Sequence, residues 1–187
     1  VIALLSQTEG RHLVVSSDHD LKQLQLNENV QQLCPRYWKN ITVEDPVWYR
    51  FSHIIKGDTG DGIPNILSDD DTLMTEGKRQ RPIKKKMIEE AWEHFKISRG
   101  SLFQYLERLS PLARQNFIRN ETLIDLLYIT DTDVTSDYKQ KINEQMKQQK
   151  DSYTGASKLM KYLASNKMNK LLDQINDFST NNPGALI

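Results

Sequence analysis

Four aspartates, set in two tight pairs, are the residues of this chain best suited to chemistry. Asp18 and Asp20 stand one residue apart in SSDHDLKQL (Ser16–Leu24), directly after the apolar run HLVV (His12–Val15). Asp58 and Asp61 stand in IIKGDTGDGIPN (Ile54–Asn65). Carboxylates held close together raise one another's pKa unless a cation lies between them. Oxygen ligands of this kind suit Mg²⁺ or Mn²⁺, which keep several waters and take one or two carboxylates per site. A plainer reading stands beside this one: Asp18 caps a turn, Asp20 caps a helix, and D-T-G-D-G is a surface turn. The glycines of the second stretch add to the functional reading. Gly57, Gly60 and Gly62 carry no side chain over their amides, so a phosphate can approach the backbone closely. Carboxylates for a metal and open amides for a phosphate point together to phosphodiester chemistry.

A basic stretch follows the glycine-rich loop. GKRQRPIKKK (Gly77–Lys86) carries Lys78, Arg79, Arg81, Lys84, Lys85 and Lys86 and leads into a helical pattern. Such a run tracks a nucleic-acid backbone when it lies on one face, and is a solvated surface otherwise. Its place shortly after the loop favours binding. The histidines, His12, His19, His53 and His94, show no zinc spacing with Cys34. His19 lies between two aspartates and tunes their charge without a catalytic role. DTDVTSD (Asp131–Asp137) lacks the central glycine of a calcium loop and has Ile142 where such a loop needs Glu.

The elements that must position these residues change character along the chain. Val1–Leu5 reads as the end of a helix that stops at Gly10, and His12–Ser16 as a short buried strand. Leu21–Leu26 is expected to be a short helix with Asp20 as its N-cap, and Asn29–Leu33 a second strand ending at Cys34-Pro35. That order is α/β with parallel strands. Asp45-Pro46 then supplies a cap and a first-turn proline for a helix through about Ile55, and Gly57–Pro64 is loop. The rest reads as mainly helical. Lys84–Phe95 presents Met87, Ile88, Ala91, Trp92 and Phe95 at helical spacing. Ser101–Arg108 and Ser110–Phe117 are similar. Lys139–Lys150 is an exposed helix or a linker. Thr154–Phe178 is one or two amphipathic helices burying Leu159, Met160, Leu163, Met168, Leu171, Leu172, Ile175 and Phe178. The last residues, Ser179–Ile187, are expected to fray.

Composition narrows the setting. The 187 residues balance 25 basic against 25 acidic side chains, which argues against a general polyanion binder. A single cysteine excludes an internal disulfide, and no apolar run approaches the roughly 20 residues that span a bilayer. A soluble, cytoplasmic monomer is expected. The opening VIALL, apolar from its first residue, is expected to be cut from a longer protein.

Ser16, Asp18, Asp20, Gln23 and Leu24, followed about forty residues on by Gly57, Asp58, Asp61 and Ile63, resemble the 5′-nuclease family. The family includes flap endonucleases, the 5′-to-3′ exonuclease domains of bacterial DNA polymerases, and phage RNase H enzymes. The similarity is strongest to the RNase H enzymes of the T-even phages. It implies a C-terminal part: a remnant of a PIN-like parallel-sheet nuclease domain (1–44), then a helix–three-turn–helix and helical C-terminal domain (45–187). It implies that Asp18, Asp20, Asp58 and Asp61 belong to the ligand sets of two Mg²⁺ or Mn²⁺ ions, and that Gln23 supports the loop. It also implies that the loop at Gly57–Pro64, with Lys78, Arg79, Arg81, Lys84 and Lys85, grips DNA or an RNA–DNA hybrid. Primer removal in phage DNA replication is the expected setting, and a single-strand-binding protein a candidate partner. Two departures stand out. Gly62 replaces the asparagine that usually follows the second acid, and Asp69, Asp70 and Asp71 fall where a phosphate-facing surface is expected. A rival from another class is a non-catalytic duplex-binding accessory module, which would not need Asp18 or Asp20.

Overall fold

The computed structural model describes residues 1–128, 138, 140–145 and 155–169, the side chains of 155–159 excepted. The chain divides into two compact units, Val1–Lys139 and Gln140–Ile187.

The first unit opens with a single helical turn, α1 (Ile2–Leu5), and a three-stranded sheet in the order β1-β2-β3. Strand β1 (His12–Val15) runs parallel to β2 (Val30–Cys34), pairing His12 with Val30 and Val15 with Leu33. The expected parallel pair is therefore present. A third strand that the sequence did not announce, β3 (Lys39–Ile41), folds back antiparallel on β2. The turn between them places Trp38 at a φ of 51°, and its side chain is exposed. The expectation of a buried first strand needs correction. Strand β1 lies at the sheet edge, and only Val14 packs on the small core of Leu21, Leu24 and Val30, while Leu13 and Val15 are exposed. Alternation on a pleated strand sends neighbours to opposite faces, and one face of β1 has no cover among the described residues.

A 3₁₀ helix, Asp20–Leu26, links β1 to β2. Asp20 is its first residue and His19 its N-cap, and the Asp20 amide donates to Asp18 Oδ1 at 3.0 Å. Helix α2 (Pro46–Lys56) forms as its capping signals direct. Asp45 Oδ1 accepts from the Trp48 amide at 2.9 Å and proline occupies the first turn. Helices α3 (Lys85–Ile97), α4 (Arg99–Leu109) and α5 (Ala113–Ile124) follow. Their apolar faces meet α2 around Phe51, whose ring centroid lies 4.8 Å from Phe95, 5.1 Å from Trp92 and 6.1 Å from Phe117. Ile55, Ile66, Ala91, Leu102, Leu106 and Ala113 are fully buried in the same core. Burying a side chain of Leu or Phe size contributes about 1.5–3 kcal/mol.

Buried amides fix how α5 sits on the rest of this unit. Asn120 Nδ2 donates to the carbonyls of Ile54 and Pro64 at 2.9 and 3.0 Å, and Asn116 Nδ2 to those of Ile66 and Ser68. The segment after α2 has no regular ladder, and these side chains supply the partners that its buried carbonyls need. Gln23 is buried too. It donates to the Ile124 carbonyl and accepts from the Leu126 amide, so it ties the 3₁₀ helix to the end of α5.

In the second unit, residues 140–145 are helical and mostly exposed, and α6 spans Gly155–Ser165. Leu163 is buried as expected, but Met160 and Met168 are exposed. A positive φ at Lys167 (56°) breaks the helical register ahead of Met168. The Leu159 side chain, Leu171, Leu172, Ile175 and Phe178, the DTDVTSD segment and the last residues lie outside the described set. Among the described residues, no helix is long and apolar enough to cross a membrane.

Candidate metal centre

The SSDHD loop leaves the end of β1 and is held at three points. The Ser16 amide extends the ladder to the Leu33 carbonyl at 2.9 Å. Gln32, buried on β2, donates from Nε2 to the carbonyls of Ser16 and Asp18 at 2.9 and 2.7 Å. Tyr49, on α2, donates from its hydroxyl to the His19 carbonyl at 2.9 Å. Within the loop, the Asp18 amide donates to Ser16 Oγ and the Asp20 amide to Asp18 Oδ1.

The second acidic loop closes on itself. Asp58 and Ile63 exchange both backbone hydrogen bonds, at 2.9 and 2.7 Å. Asp58 Oδ1 accepts from the amides of Gly60 at 2.8 Å and Asp61 at 3.2 Å. Gly57 enters the turn at φ 70°, ψ −176°, a region essentially reserved for glycine. A Cβ there would lie 2.4 Å from the Ile63 carbonyl oxygen. The Gly57 and Gly62 amides donate to the carbonyls of His53 and Thr59. The amides of all three glycines are thus engaged, that of Gly57 by the end of α2 and the other two inside the loop.

Helix α2 brings the two loops together. Tyr49 and His53, four residues apart, share the face opposite Phe51, and their rings lie 6.0 Å apart. His53 stands between the acidic pairs. Its Nε2 lies 3.1 Å from Asp58 Oδ2 and its Nδ1 3.5 Å from Asp20 Oδ1. Asp20, His53 and Asp58 each offer a ligand atom, all within 4.8 Å of one another, and all three side chains are partly buried. The sequence reading found no metal role for His53. One local signal exists: it sits in the last turn of a helix, five residues before an aspartate, where a cation is favoured.

The two carboxylates nearest His53 are shifted in opposite directions. Burial pushes the Asp20 pKa up, His53 opposes this, and Asp18, Asp58 and Asp61 add to the rise. Asp58 goes the other way. Burial acts to raise its pKa, but the amides of Asp61 and Gly60 and the His53 ring together hold it below the usual carboxylate value. The Tyr49 phenol is raised by burial and by the charges of Asp20, Asp58 and Asp18. All four aspartates therefore contribute to one electrostatic region. Asp18 and Asp61 stay exposed, at its rim. Asp61 also borders a cleft lined by Ile63, Pro64, Asp70, Arg119 and Leu123.

The basic stretch is exposed, and part of its charge is matched. Lys78 pairs with Asp71 at 2.6 Å and with Asp69 at 3.7 Å, so these acidic residues serve partly as its counter-ions. Lys85 and Lys86 reach Glu89 and Glu90 one turn on. Arg79, Arg81 and Lys84 are exposed with no carboxylate partner among the described residues. Asp70 pairs with Arg119.

The donor set can be tested against a divalent ion. Three ligand atoms converge, two of them from carboxylates. His53 Nδ1 is buried and has no hydrogen-bond partner. A buried ring nitrogen left without a hydrogen bond beside a carboxylate is unfavourable unless a proton or a cation lies between them, and a divalent ion would meet that need, so the residues fit one. Residues 49–178 match the family described as T4 RNase H, C terminal. That span holds His53, Asp58, Asp61 and the basic stretch, and begins after Asp18 and Asp20. No curated protein matches the chain.

Proposed function

This chain belongs to the T4 RNase H C-terminal family, and on that premise we propose that the whole protein is a structure-specific 5′-to-3′ nuclease. Its substrates are RNA–DNA hybrids, flaps or duplex 5′ ends, as primer removal in phage-type replication requires, and it works in the cytoplasm of the host. The observation that carries this reading is the convergence of Asp20 and Asp58, 38 positions apart in sequence, on one partly buried site.

Asp18, Asp20, Asp58 and Asp61 would hold two Mg²⁺ or Mn²⁺ ions, and bound ions of this kind acidify an attacking water and offset charge on the leaving oxygen. The chain's own groups do the rest. The two loops, pinned by Gln32, Tyr49 and the Asp58–Ile63 bridge, fix where the carboxylates stand. Arg79, Arg81 and Lys84 orient the duplex by its phosphates. The PIN-like sheet and the helix–three-turn–helix are part of this proposal. So is the inactivity of this chain alone, since the family resemblance implies metal ligands beyond these four aspartates.

The test is cleavage of a 5′-labelled flap and an RNA–DNA hybrid, with Mg²⁺ or with EDTA. Cleavage is expected only from a chain extended by the family's upstream half, and only with the metal. Asp18→Asn and Asp58→Asn in that extended chain are each expected to lower the rate by about 100-fold. One observation favours a second reading: the family match holds the basic stretch but not Asp18 and Asp20. An extended chain that binds duplex and never cuts, with Asp18→Asn binding as well as the parent, identifies a duplex-binding accessory module instead.

A further inference from the structure

We propose that His53 is itself a metal ligand, through Nδ1, making this a mixed nitrogen–oxygen site that favours Mn²⁺ over Mg²⁺. The inference rests on the metal-dependent reading above and adds a residue and a selectivity to it.

The two ring nitrogens are sorted by their neighbours. Nε2 lies 3.1 Å from Asp58 Oδ2, and an ionised carboxylate only accepts, so Nε2 carries the proton. In the neutral ring Nδ1 then holds a bare lone pair. It is buried, it has no hydrogen-bond partner, and it points at Asp20 Oδ1 across 3.5 Å. Two lone-pair atoms at that distance repel. The gap is close to the spacing of two adjacent ligands bonded at about 2.1 Å to one ion. Metal-bound histidines commonly donate their other N–H to a carboxylate, which fixes the tautomer and raises the ligand's basicity. Asp58 is in position to do this for His53. Its other oxygen, Oδ1, accepts the Gly60 and Asp61 amides, which support its charge from the far side.

Helix α2 makes the arrangement stiff. His53 is one turn from Tyr49, which is bonded to the SSDHD loop, and its own carbonyl accepts the Gly57 amide. The backbone that carries the ring is therefore tied to both loops. An imidazole in the ligand set selects among hard ions. Mg²⁺ is served by carboxylate and water, whereas imidazole suits transition ions.

The competing account is a protonated His53 that pairs with Asp20 and Asp58 and takes no metal. Mn²⁺ titration of the 187-residue chain, followed by electron paramagnetic resonance, separates the two. A ¹⁴N coupling to bound Mn²⁺ is expected in the pulsed spectrum. It is expected to vanish in His53→Gln, with Mn²⁺ affinity falling about tenfold or more. His19→Gln is expected to keep it, excluding the other nearby ring. Mg²⁺ is expected to displace Mn²⁺ only in large excess. Bound Mn²⁺ without a ¹⁴N coupling in the parent chain overturns the proposal while leaving a carboxylate metal site, and the nuclease reading, in place. Failure of the chain to bind Mn²⁺ overturns it as well, and cleavage by the extended chain then decides the nuclease reading separately. The parent spectrum decides the matter even if His53→Gln does not fold.

Discussion

The two aspartate turns are built on one plan and end with opposite electrostatics. In each, the first carboxylate accepts a downstream amide: Asp18 from Asp20, and Asp58 from Gly60 and Asp61. Asp58 gains enough from those amides and from His53 to ionise below its usual pKa. Asp20 receives no amide, is partly buried, and faces three other carboxylates, so it ionises above its usual value. The Asp58 turn carries its own charge stabilisation in its backbone. The Asp20 turn depends on something outside its backbone. A site with one self-stabilised and one under-stabilised carboxylate is prepared for a cation at the second, beside His53.

The largest test of this difference is Gly57→Ala. The Asp58 turn depends on a backbone conformation that only glycine adopts easily, and an added Cβ would strike the Ile63 carbonyl. A loss of roughly 3 kcal/mol is expected in urea unfolding. Ser17→Ala, in the exposed first turn, is expected to change stability by less than about 0.5 kcal/mol. Comparable losses would show that the two turns are equally constrained. Next in size is Asp58→Ala, which removes the acceptor of two amides and the partner of His53. It is expected to cost about 2 kcal/mol, against about 0.5 kcal/mol for Asp18→Ala, whose carboxylate accepts one exposed amide. Equal costs would remove the distinction drawn above.

Much of this contrast could be read from the sequence, and the unread part has physical causes. Local signals worked where the cause is local. Asp45-Pro46 capped α2, the glycines marked the Asp58 turn, and the apolar spacing of Ile88, Ala91 and Phe95 marked α3. Strand β3 was missed because KNI has no strand signal of its own, and its partner β2 supplies the ladder. The buried reading of β1 failed because apolar residues on both faces cannot say which face is covered. The cap assigned to Asp20 failed because a 3₁₀ turn moved its start by one residue. His53 was missed because its nearness to Asp20, 33 positions earlier, is created by the packing of α2 on the SSDHD loop. Gln32 did leave a signal: it shares the inward face of β2 with Val30 and Cys34, and a polar residue there needs partners.

Acid titration sharpens the comparison further. With EDTA present, ionised Asp58 contributes stability at neutral pH, because its folded pKa lies below its unfolded one. That contribution is complete above the ordinary carboxylate value and is lost as pH falls through the depressed one. Asp58→Asn is therefore expected to flatten the fall in urea midpoint below about pH 4. An unchanged acid limb would mean that the amides of Gly60 and Asp61 do not favour the ionised form.

The smallest expected effect carries the opposite sign and is the most discriminating. Asp20 has a folded pKa above its unfolded one, so its ionised form destabilises the metal-free chain at neutral pH. Asp20→Asn is expected to stabilise that chain by about 0.5 kcal/mol in EDTA. The gain shrinks as pH falls through the raised pKa, since wild-type Asp20 then becomes neutral as well. Mn²⁺ should reverse the order: the parent gains stability by binding, and the variant lacks a ligand. Stabilisation in EDTA with reversal in Mn²⁺ is the signature of a carboxylate held for a cation. Destabilisation in EDTA would mean that Asp20 already has its partner in a protonated His53, and the contrast between the two turns would vanish.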